Sequence, residues 1–475
     1  MTKIYKYRKL HGLEPHQALF GQIEICGERP PLSEMLRRAN GNETVYLCGS
    51  LDQMTREYCE EPLSNGWNFL NSFVFKHRAP VYVQANRHYM GDRKEVAVKL
   101  ISHREGWLPG CEDVTVAVDA WRALESEWKS TGLPLLSTPR ATGIALLWEN
   151  LPRGVEFPAL PDDLARLIRA NSPQHRIEVI GEGCKRMLAG ESVLDPKFCD
   201  HQYDGRWMYA SLCGLDRFPI GEPKRAEGFT PYTPGIYDMT IRIPETWAHV
   251  GLIPMLEDTG VGFTRAWRYP SEPGRTFRTW AFEPELTLAL KKGWEIMDFH
   301  DGYRFEKGRP LMTWAHKLIG MRERLEHSET GWHFGGGEMV NHFSYARAAV
   351  RQVLNHSIGA LHKNEYQREA FVSEDNYRKW RRENPHLAEG DDVLRVEGGY
   401  MVPTFVADTS PLSIFMPHWS ATLYSLARAR VAEWALKCEP GTLVKIHGDA
   451  LYSTVAQPEL DKLDDGETLG RPRRK

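Results

Sequence analysis

Two aspartates about half the chain apart each follow a run with strand character and precede a change of direction. They are Asp204, in HQYDGRWMYASLCG, and Asp449, in LVKIHGDALYST. If the two strands are neighbours in one sheet, their ends bring the carboxylates together. Magnesium binds proteins through one or two carboxylates and takes further oxygens from water and substrate phosphates. The two residues therefore predict a divalent-metal site that holds a phosphorylated substrate.

A helix is predicted between them, over ARAAVRQVLNHSIGALHKN. Arg347, Arg351, Asn355 and Gly359 are spaced four residues apart and share one face of it. Arginine donates paired hydrogen bonds to phosphate, and a glycine lets a base pair approach the backbone closely. Charges at this spacing are also usual on a solvated helix face. Both interpretations of the two arginines remain open at this point.

The carboxylates and the basic helix together fit nucleotidyl transfer. In two-metal enzymes, ions roughly 3.5–4 Å apart activate the attacking hydroxyl and stabilise the leaving pyrophosphate. Cationic donors then bind the triphosphate from the other side. We therefore expect Mg²⁺ or Mn²⁺ at Asp204 and Asp449.

Composition sets broad limits on the class of protein. With 475 residues, 41% of them hydrophobic, the chain has material for about three packed domains. Its 60 basic and 63 acidic residues nearly balance, which argues only weakly against nucleic-acid binding because a basic channel can coexist with acidic outer faces. The eight cysteines form no CxxC pair, which favours reduced thiols over a zinc site. No stretch approaches about 18 uninterrupted apolar residues and no signal segment is recognised, so we expect a cytoplasmic protein with no membrane partner.

Hydrophobic periodicity predicts the elements that position these residues. Helices are predicted over Glu112–Leu133, Thr313–Glu326, Ser344–Lys363 and Trp419–Lys437. The alanines and arginines of the last one suit an amphipathic helix. The run ELTLALKKGWEIMDFHDGYRFEKG predicts a helix followed by a hairpin. LVKI, HGD and ALYST predict a strand, a tight turn at Gly448 and a second strand.

The order of these motifs resembles that of family B DNA polymerases, most closely the protein-primed branch of bacteriophages and plasmids. In that family the first motif has an aspartate followed five residues on by a tyrosine, as Asp204 is followed by Tyr209. The second motif, a basic residue followed by an asparagine and a glycine, is matched by RQVLNHSIG. The third, Asp-Thr-Asp-Ser, is matched by HGDA, with Asp449 at the second acid. The resemblance covers roughly residues 110–475.

This resemblance implies an α+β fold, a right-hand polymerase palm and fingers with an N-terminal RNase H-like domain. The expected domains are an RNase H-like degenerate exonuclease at 1–165, a palm with the first motif and an insertion at 166–330, fingers with the second motif at 331–400 and palm with the third motif at 401–475. Little or no thumb is expected.

The same resemblance implies a template-directed DNA polymerase of a bacteriophage or mobile element, acting in DNA replication. It would add deoxynucleotides to a primer 3′-hydroxyl or to a protein-borne hydroxyl. Asp204 and Asp449 would be the catalytic metal ligands, and Tyr209 would pack under the sugar and exclude a ribose 2′-hydroxyl. The implied nucleotide-binding residues are Arg347, Arg351, Asn355, Gly359 and Tyr209. The implied partners are primer–template DNA, deoxynucleoside triphosphates and, for protein priming, a terminal protein.

Several positions depart from the family pattern. His447 replaces the first acid of the third motif, and it either binds metal itself or makes a stacking or hydrogen-bonded contact. Ile358 replaces a tyrosine that borders the nucleotide, and Arg351 replaces a lysine, which alters the hydrogen-bond geometry. The N-terminal region lacks the Asp-x-Glu pair of a proofreading site, which leaves Asp119 and Asp52 as remnants of one.

These departures keep two other hypotheses open. One is a polymerase-derived protein that binds nucleic acid without catalysis, motivated by the histidine in the third motif and the degraded exonuclease. The other is an RNase H-like nuclease, which the missing Asp-x-Glu pair disfavours. The basic tail RPRRK likewise either contacts phosphates or is only a charged terminus.

Overall fold

A computed structural model describes a set of strands near the N-terminus and most of the chain from residue 107 onward. The described residues are 22–25, 44–48, 67–70, 73–77, 82–84, 87–89, 94–102, 107–111, 113–136, 138–155, 157, 160–188, 201–258, 265–326, 332–335, 338–362, 365–383, 394–396, 399–407 and 414–474. Asp52 lies outside them. The chain forms two compact units: the first contains Asn150–Ile319 and Phe415–Lys475, and the second contains Tyr5–Glu149 and Gly320–Ile414.

The helices and strands of the described residues follow in chain order. The strands are β1 Gln22–Ile25, β2 Thr44–Cys48, β3 Trp67–Leu70, β4 Phe73–His77, β5 Tyr82–Gln84, β6 Arg87–Tyr89, β7 Lys94–Ser102, β8 Ile177–Val179, β9 His201–Gly205, β10 Phe218–Arg225, β11 Gly235–Arg242, β12 Met255–Asp258, β13 Arg265–Arg268, β14 Thr276–Phe282, β15 Glu295–Gly308, β16 Trp332–Gly335, β17 Glu338–Asn341, β18 Glu365–Ser373, β19 Leu394–Val396, β20 Gly399–Ala407, β21 Leu443–His447, β22 Ala450–Ser453 and β23 Pro472–Arg474. The helices are α1 Val114–Trp128, α2 Pro139–Asn150, α3 Asp162–Ala170, α4 Gly181–Leu188, α5 Met208–Leu215, α6 Glu283–Lys291, α7 Met312–Glu326, α8 His342–His362, α9 Glu374–Glu383, α10 Pro417–Ala435 and α11 Pro458–Asp461.

One sheet of the first unit, called sheet I, has the strand order β23-β9-β22-β21-β8, and all its pairs are antiparallel. The strand, turn and strand predicted at LVKIHGDALYST are confirmed as β21 and β22. The turn between them holds Gly448 at φ +65°, in the left-handed region that glycine tolerates. Sheet I therefore joins two segments far apart in the chain, β9 and the β21–β22 hairpin.

A second antiparallel sheet of the first unit, sheet II, has the order β10-β15-β11-β14. The hairpin predicted after α6 is wrong, because β15 runs through Asp301 and Gly302 as one strand of 14 residues. It bulges there instead, with a register shift against Asp238 and Met239 of β11. Gly302 is needed for close packing, since a Cβ at this position would lie 2.9 Å from the Tyr237 ring.

Helix α10 of the first unit is buried on nearly all its sides, so the predicted amphipathic character is wrong. Its buried residues include Trp419, Leu423, Val431 and the charged Arg428. The indole Nε1 of Trp419 donates a 2.7 Å hydrogen bond to the Pro219 carbonyl. The charge of Arg428 is tolerated inside the unit because the carboxylate of Glu285 on α6 pairs with it. The helix ties sheet II and α6 to the rest of the first unit.

In the second unit, the strands near the N-terminus form a mixed sheet of order β1-β2-β7-β4-β3. The pairs β1–β2 and β2–β7 are parallel, whereas β7–β4 and β4–β3 are antiparallel. Smaller antiparallel sheets of this unit pair β16 with β17, and β20 with β18 and β19.

The helices α1 and α8 of the second unit confirm two predictions from periodicity. The carboxylate of Asp113 caps α1 by accepting a hydrogen bond from the Val116 amide at 3.0 Å. The helix ends earlier than predicted, at Trp128, because a 3₁₀ turn follows and Gly132 adopts φ +72°. Among the described residues, no helix is long and apolar enough to span a membrane.

Candidate active site

The two aspartates lie on neighbouring strands of sheet I. Asp204 pairs with Ala450 across β9 and β22, and the Gly205 amide donates a 2.9 Å hydrogen bond to the carbonyl of Asp449. Opposite Cα atoms of antiparallel strands are about 4.5–5.5 Å apart. Asp449 directly precedes Ala450, the residue opposite Asp204, so the two aspartates are offset by one residue across the paired strands. Both are partly buried. The structure therefore places the backbones of the two aspartates on neighbouring strands.

The turn that carries Asp449 is held from two sides. His447 pairs with Ala450 and closes a two-residue turn. On the outer side, the Gly448 amide donates a 2.8 Å hydrogen bond to the carbonyl of Arg176, just before β8. A loop tip with both flanks bonded in this way has little freedom, which suits a ligand that must keep its position.

The side chains of strand β9 alternate between the two faces of sheet I. Tyr203 and Gly205 are buried on one face, where the Tyr203 hydroxyl donates to Asp461 at 3.0 Å and accepts from the Gln457 amide at 2.8 Å. Side chains alternate along a strand, so Asp204 projects from the opposite face. Its cross-strand neighbour on β23 is the exposed Arg473. The basic tail thus forms an edge strand that places a cation beside Asp204, which the sequence left undecided.

Between Asp204 and Tyr209 the backbone makes a sharp change of direction. Trp207 has φ 47° and ψ 42°, a left-handed conformation that is rare for a bulky residue. The next residue begins α5, and Tyr209 falls in its first turn. Such outliers persist where the surrounding structure holds them, and they concentrate at functional sites. This turn sends the chain from the strand with the aspartate directly into the helix with the tyrosine.

Tyr209 belongs to a cluster of three aromatic rings. Its hydroxyl lies 3.1 Å from Nδ1 of His175, and the rings of His175 and Tyr424 lie 5.2 Å apart, edge to face. Tyr209 and Tyr424 are 6.0 Å apart in the same arrangement. Burial raises the pKa of Tyr424 to about 12. Sequence reasoning missed His175 and Tyr424, because neither stands in a recognisable motif.

His447, which replaces an acid of the family pattern, is exposed at the end of β21. Its charge contributes to lowering the pKa of His175, after the larger effects of burial and of Arg428. Among the described residues, no group of three or more histidine, cysteine, aspartate or glutamate side chains could hold a metal ion. Within the described part of the chain, His447 therefore belongs to no such group of possible metal ligands.

The donor set of Asp204 and Asp449 nevertheless fits Mg²⁺ or Mn²⁺. Magnesium sites of phosphoryl-transfer enzymes use one or two carboxylates and complete their coordination with water and substrate phosphates. Asp204 and Asp449 lie on paired strands beside one turn, and their carboxylate oxygens are of the type that such a site uses.

The other predicted nucleotide-binding residues lie on α8, in the second unit, whereas the aspartates and Tyr209 belong to the first. Arg351 and Asn355 are exposed on one face of the helix. Arg347 is partly buried and forms a 3.5 Å ion pair with Glu326. A Cβ built at Gly359 meets no atom of the described residues within 4 Å. Packing thus leaves this glycine unexplained, which is consistent with a functional reason for it.

The opposite face of α8 is packed against α2. Val353 and Ser357 are buried there, and the Ser357 hydroxyl donates a 2.6 Å hydrogen bond to the Val353 carbonyl. Gly143 of α2 makes this approach close enough that an added Cβ would overlap Ser357. Asp119, the predicted exonuclease remnant, lies on α1 at 3.6 Å from Arg122.

Comparison with known proteins finds a similarity of fold. No protein-family model matches the chain, and no curated protein is similar to it. The structure is similar to phi29 DNA polymerase in an orthorhombic crystal form, with a TM-score of 0.54 and 12% identity over 94% of this chain and 78% of that one. The complex of that polymerase with primer–template DNA and incoming nucleotide gives 0.55 and 12% over 93% and 78%. Its complex with single-stranded DNA gives 0.50 and 11% over 93% and 77%. These likenesses show a shared polymerase-like fold.

Proposed function

We propose that this chain is a template-directed DNA polymerase related to family B, which adds deoxynucleotides to a primer 3′-hydroxyl or a protein hydroxyl. The observation that carries the proposal is the pairing of β9 with the β21–β22 hairpin, which puts Asp204 beside Asp449. The likeness of fold to a DNA polymerase that binds primer–template DNA and nucleotide adds support. The protein-primed branch, and with it a terminal priming protein, remains part of the proposal.

In this proposal, sheet I is the core of the palm. Asp204 and Asp449 would hold Mg²⁺ or Mn²⁺, whose chemistry when bound is to activate the primer hydroxyl and to stabilise charge on the leaving pyrophosphate. The partly buried position of both carboxylates restricts water around them, which strengthens their attraction for cations. Arg473, beside Asp204 on the edge strand, adds a cation for substrate phosphates.

The exposed face of α8 would bind the incoming nucleotide. Arg351 would donate paired hydrogen bonds to the triphosphate. Arg347 would also contact the triphosphate, either after leaving its ion pair with Glu326 or while keeping it. Asn355 and Gly359 would face the nascent base pair, and the open space at Gly359 suits that contact. From the first unit, Tyr209 would lie under the sugar and reject a 2′-hydroxyl. The predicted domains 1–165, 166–330, 331–400 and 401–475 are kept as part of the proposal.

Primer extension by the purified full chain tests this function. A labelled primer on a longer template, with deoxynucleotides and Mg²⁺, should be extended by the wild type. Asp204→Asn and Asp449→Asn should each reduce the rate by about a thousandfold, because a metal contributes several kcal/mol of charge stabilisation to the transition state. Asp301→Asn is the matched control, since Asp301 lies on sheet II, where its carboxylate pairs with the exposed Arg225 and accepts a hydrogen bond from the Gly302 amide. Extension undiminished by both site substitutions would refute the assignment.

The second candidate is DNA binding without synthesis, favoured by His447 in the position of a family carboxylate. Fluorescence anisotropy with the same primer–template separates the two. Tight binding together with no extension, with Mg²⁺ or Mn²⁺ and on any primer, would favour the binding protein. Extension that depends on Asp204 would exclude it.

A further inference from the structure

His175 contacts the residue assigned to sugar selection and has no role in any motif. Its Nδ1 lies 3.1 Å from the Tyr209 hydroxyl, within hydrogen-bond distance. Its ring also packs edge to face on Tyr424, at 5.2 Å between centroids, and the Tyr209 ring lies 6.0 Å from that of Tyr424. Tyr209 therefore has a polar contact at its hydroxyl and an aromatic contact at its ring, which together restrict the rotation of its side chain.

The segment that carries His175 is anchored on one side by a buried ion pair. Arg428 of α10 and Glu285 of α6 are 2% and 0% exposed. Arg428 Nε lies 2.7 Å from Glu285 Oε1, and the second guanidinium nitrogen lies 2.9 Å from Oε2. The remaining nitrogen of Arg428 donates a hydrogen bond to the carbonyl of Pro173. A bidentate pair of this kind has a fixed geometry, so it holds the backbone two residues before His175.

The residue after His175 is anchored as firmly. The guanidinium of Arg176 is buried, donates a 2.8 Å hydrogen bond to the Gly251 carbonyl and pairs with Glu178. It also lies 4.0 Å from the centroid of the Tyr269 ring. The carbonyl of Arg176 accepts the bond from Gly448 that supports the Asp449 turn. The short segment from Pro173 to Arg176 thus contacts both the tyrosine and the turn with the metal-binding aspartate.

The charges around His175 favour its neutral form. The pKa of His175 is lowered mainly by partial desolvation of its ring against its neighbours, then by Arg428 and then by His447, although the residue keeps an exposed surface. A neutral imidazole has one N–H donor and one acceptor nitrogen. In the tautomer with the proton on Nε2, Nδ1 accepts the hydrogen bond that the Tyr209 hydroxyl donates. Since Pro173 and Arg176 on either side of His175 are fixed to the core, this bond can define the position of Tyr209.

We propose that His175 is a positioning residue for Tyr209, and that it thereby sets the discrimination between deoxyribonucleotides and ribonucleotides. The inference rests on the proposed function and extends it to a residue outside the family motifs. Without the bond, Tyr209 gains freedom to move away from the sugar, and a 2′-hydroxyl is excluded less strictly. The loss of one hydrogen bond of ordinary strength corresponds to a change of about fivefold to tenfold in the ratio of ribonucleotide to deoxyribonucleotide incorporation.

The test measures kcat/KM for dCTP and for CTP opposite a template guanine. His175→Ala should raise the CTP to dCTP ratio by about fivefold to tenfold. Tyr209→Phe keeps the ring and loses the hydroxyl, so it should raise the ratio to a similar extent. The double variant should raise it no further, because both substitutions remove one interaction. His175→Asn, whose amide oxygen can take the place of Nδ1, should restore most of the discrimination.

His300→Ala is the matched control, since His300 is also an exposed histidine bonded to a hydroxyl, that of Thr240 at 2.8 Å. It should leave the ratio unchanged. A wild-type enzyme that extends with dCTP, together with unchanged ratios in His175→Ala and Tyr209→Phe, would overturn the inference while leaving the function intact. Additive effects in the double variant would also overturn it. If His175→Ala does not fold, the ratios of Tyr209→Phe and His175→Asn decide the matter. Absence of any extension by the wild type would instead contradict the proposed function.

Discussion

Replacing Gly359 by alanine separates the stability of α8 from its use as a nucleotide-binding face. Glycine within a helix is less favourable than alanine by about 0.5–1 kcal/mol. A Cβ at this position meets no atom of the described residues within 4 Å. The substitution therefore adds helix propensity without a clash. We expect the free energy of unfolding to rise by about 0.5–1 kcal/mol.

Gly143 on α2 is the matched control, because its surroundings are the opposite. A Cβ there would overlap the Ser357 hydroxyl and lie 2.8 Å from the Val353 carbonyl oxygen. Overpacking of this kind costs about 1–3 kcal/mol, which exceeds the gain in propensity. Gly143→Ala should therefore lower Tm and Gly359→Ala should raise it, by about 2–4 °C for each kcal/mol in a cooperative unit of about 150–250 residues.

Thermal unfolding and single-nucleotide primer extension measured on the same samples complete the experiment. If the nascent base pair packs on Gly359, an added methyl group displaces it, and a misplacement of about 1 Å costs on the order of a hundredfold in rate. We expect kcat/KM for the correct deoxynucleotide to fall by about 10–100-fold in the more stable Gly359→Ala variant. A variant that is more stable and fully active would refute the assignment of Gly359 to the nucleotide face. A less stable variant would refute the packing argument.

Two further predictions concern the buried charges and histidine of the first unit. Arg428→Ala leaves the Glu285 carboxylate buried without its cation, so urea unfolding should show a loss of about 3–5 kcal/mol in the free energy of unfolding. Arg225→Ala removes one partner of an exposed ion pair and should lower the free energy of unfolding much less. Equal losses would contradict the role of burial. Burial lowers the pKa of His418 from 6.5 to about 3. Below pH 6.5 the imidazole is protonated in the unfolded chain but stays neutral in the folded chain. The contribution of His418 to the free energy of unfolding is therefore fully present above pH 6.5, and it falls by about 1.4 kcal/mol per pH unit as the pH decreases towards 3. Urea titrations at pH 7 and pH 5 should show this loss in the wild type and a smaller one in His418→Phe, and identical losses would refute the assignment.

Local signals in the sequence were sufficient to predict the elements that carry the candidate site. Strand character before Asp204 and the glycine before Asp449 reflect neighbouring residues only, and β9 and the β21–β22 hairpin follow them. Periodicity predicted α8 for the same reason. The hairpin predicted after α6 was wrong although Asp301 and Gly302 form an Asp-Gly dipeptide, which favours a hairpin turn. Here the glycine serves close packing against Tyr237 inside a continuous strand.

The rest of the site depends on contacts between distant segments, which local patterns do not encode. Arginines among alanines suggest a helix face in water, yet Arg428 is buried because Glu285 of another helix pairs with it. That pair fixes Pro173 and so helps to place His175 against Tyr209. Apart from Tyr209, none of these residues stands in a motif, so neither the histidine nor its proposed role in positioning the tyrosine could be predicted from the sequence.

Template-directed addition of a single deoxynucleotide is the decisive test of polymerase activity at Asp204 and Asp449. One labelled primer is annealed to four templates that differ only in the next base, and each is supplied with one deoxynucleotide at a time in the presence of Mg²⁺. The wild type should add only the complementary nucleotide on each template, and Asp204→Asn should add none within the same time. Addition that ignores the template base, or no addition on any template, would contradict it.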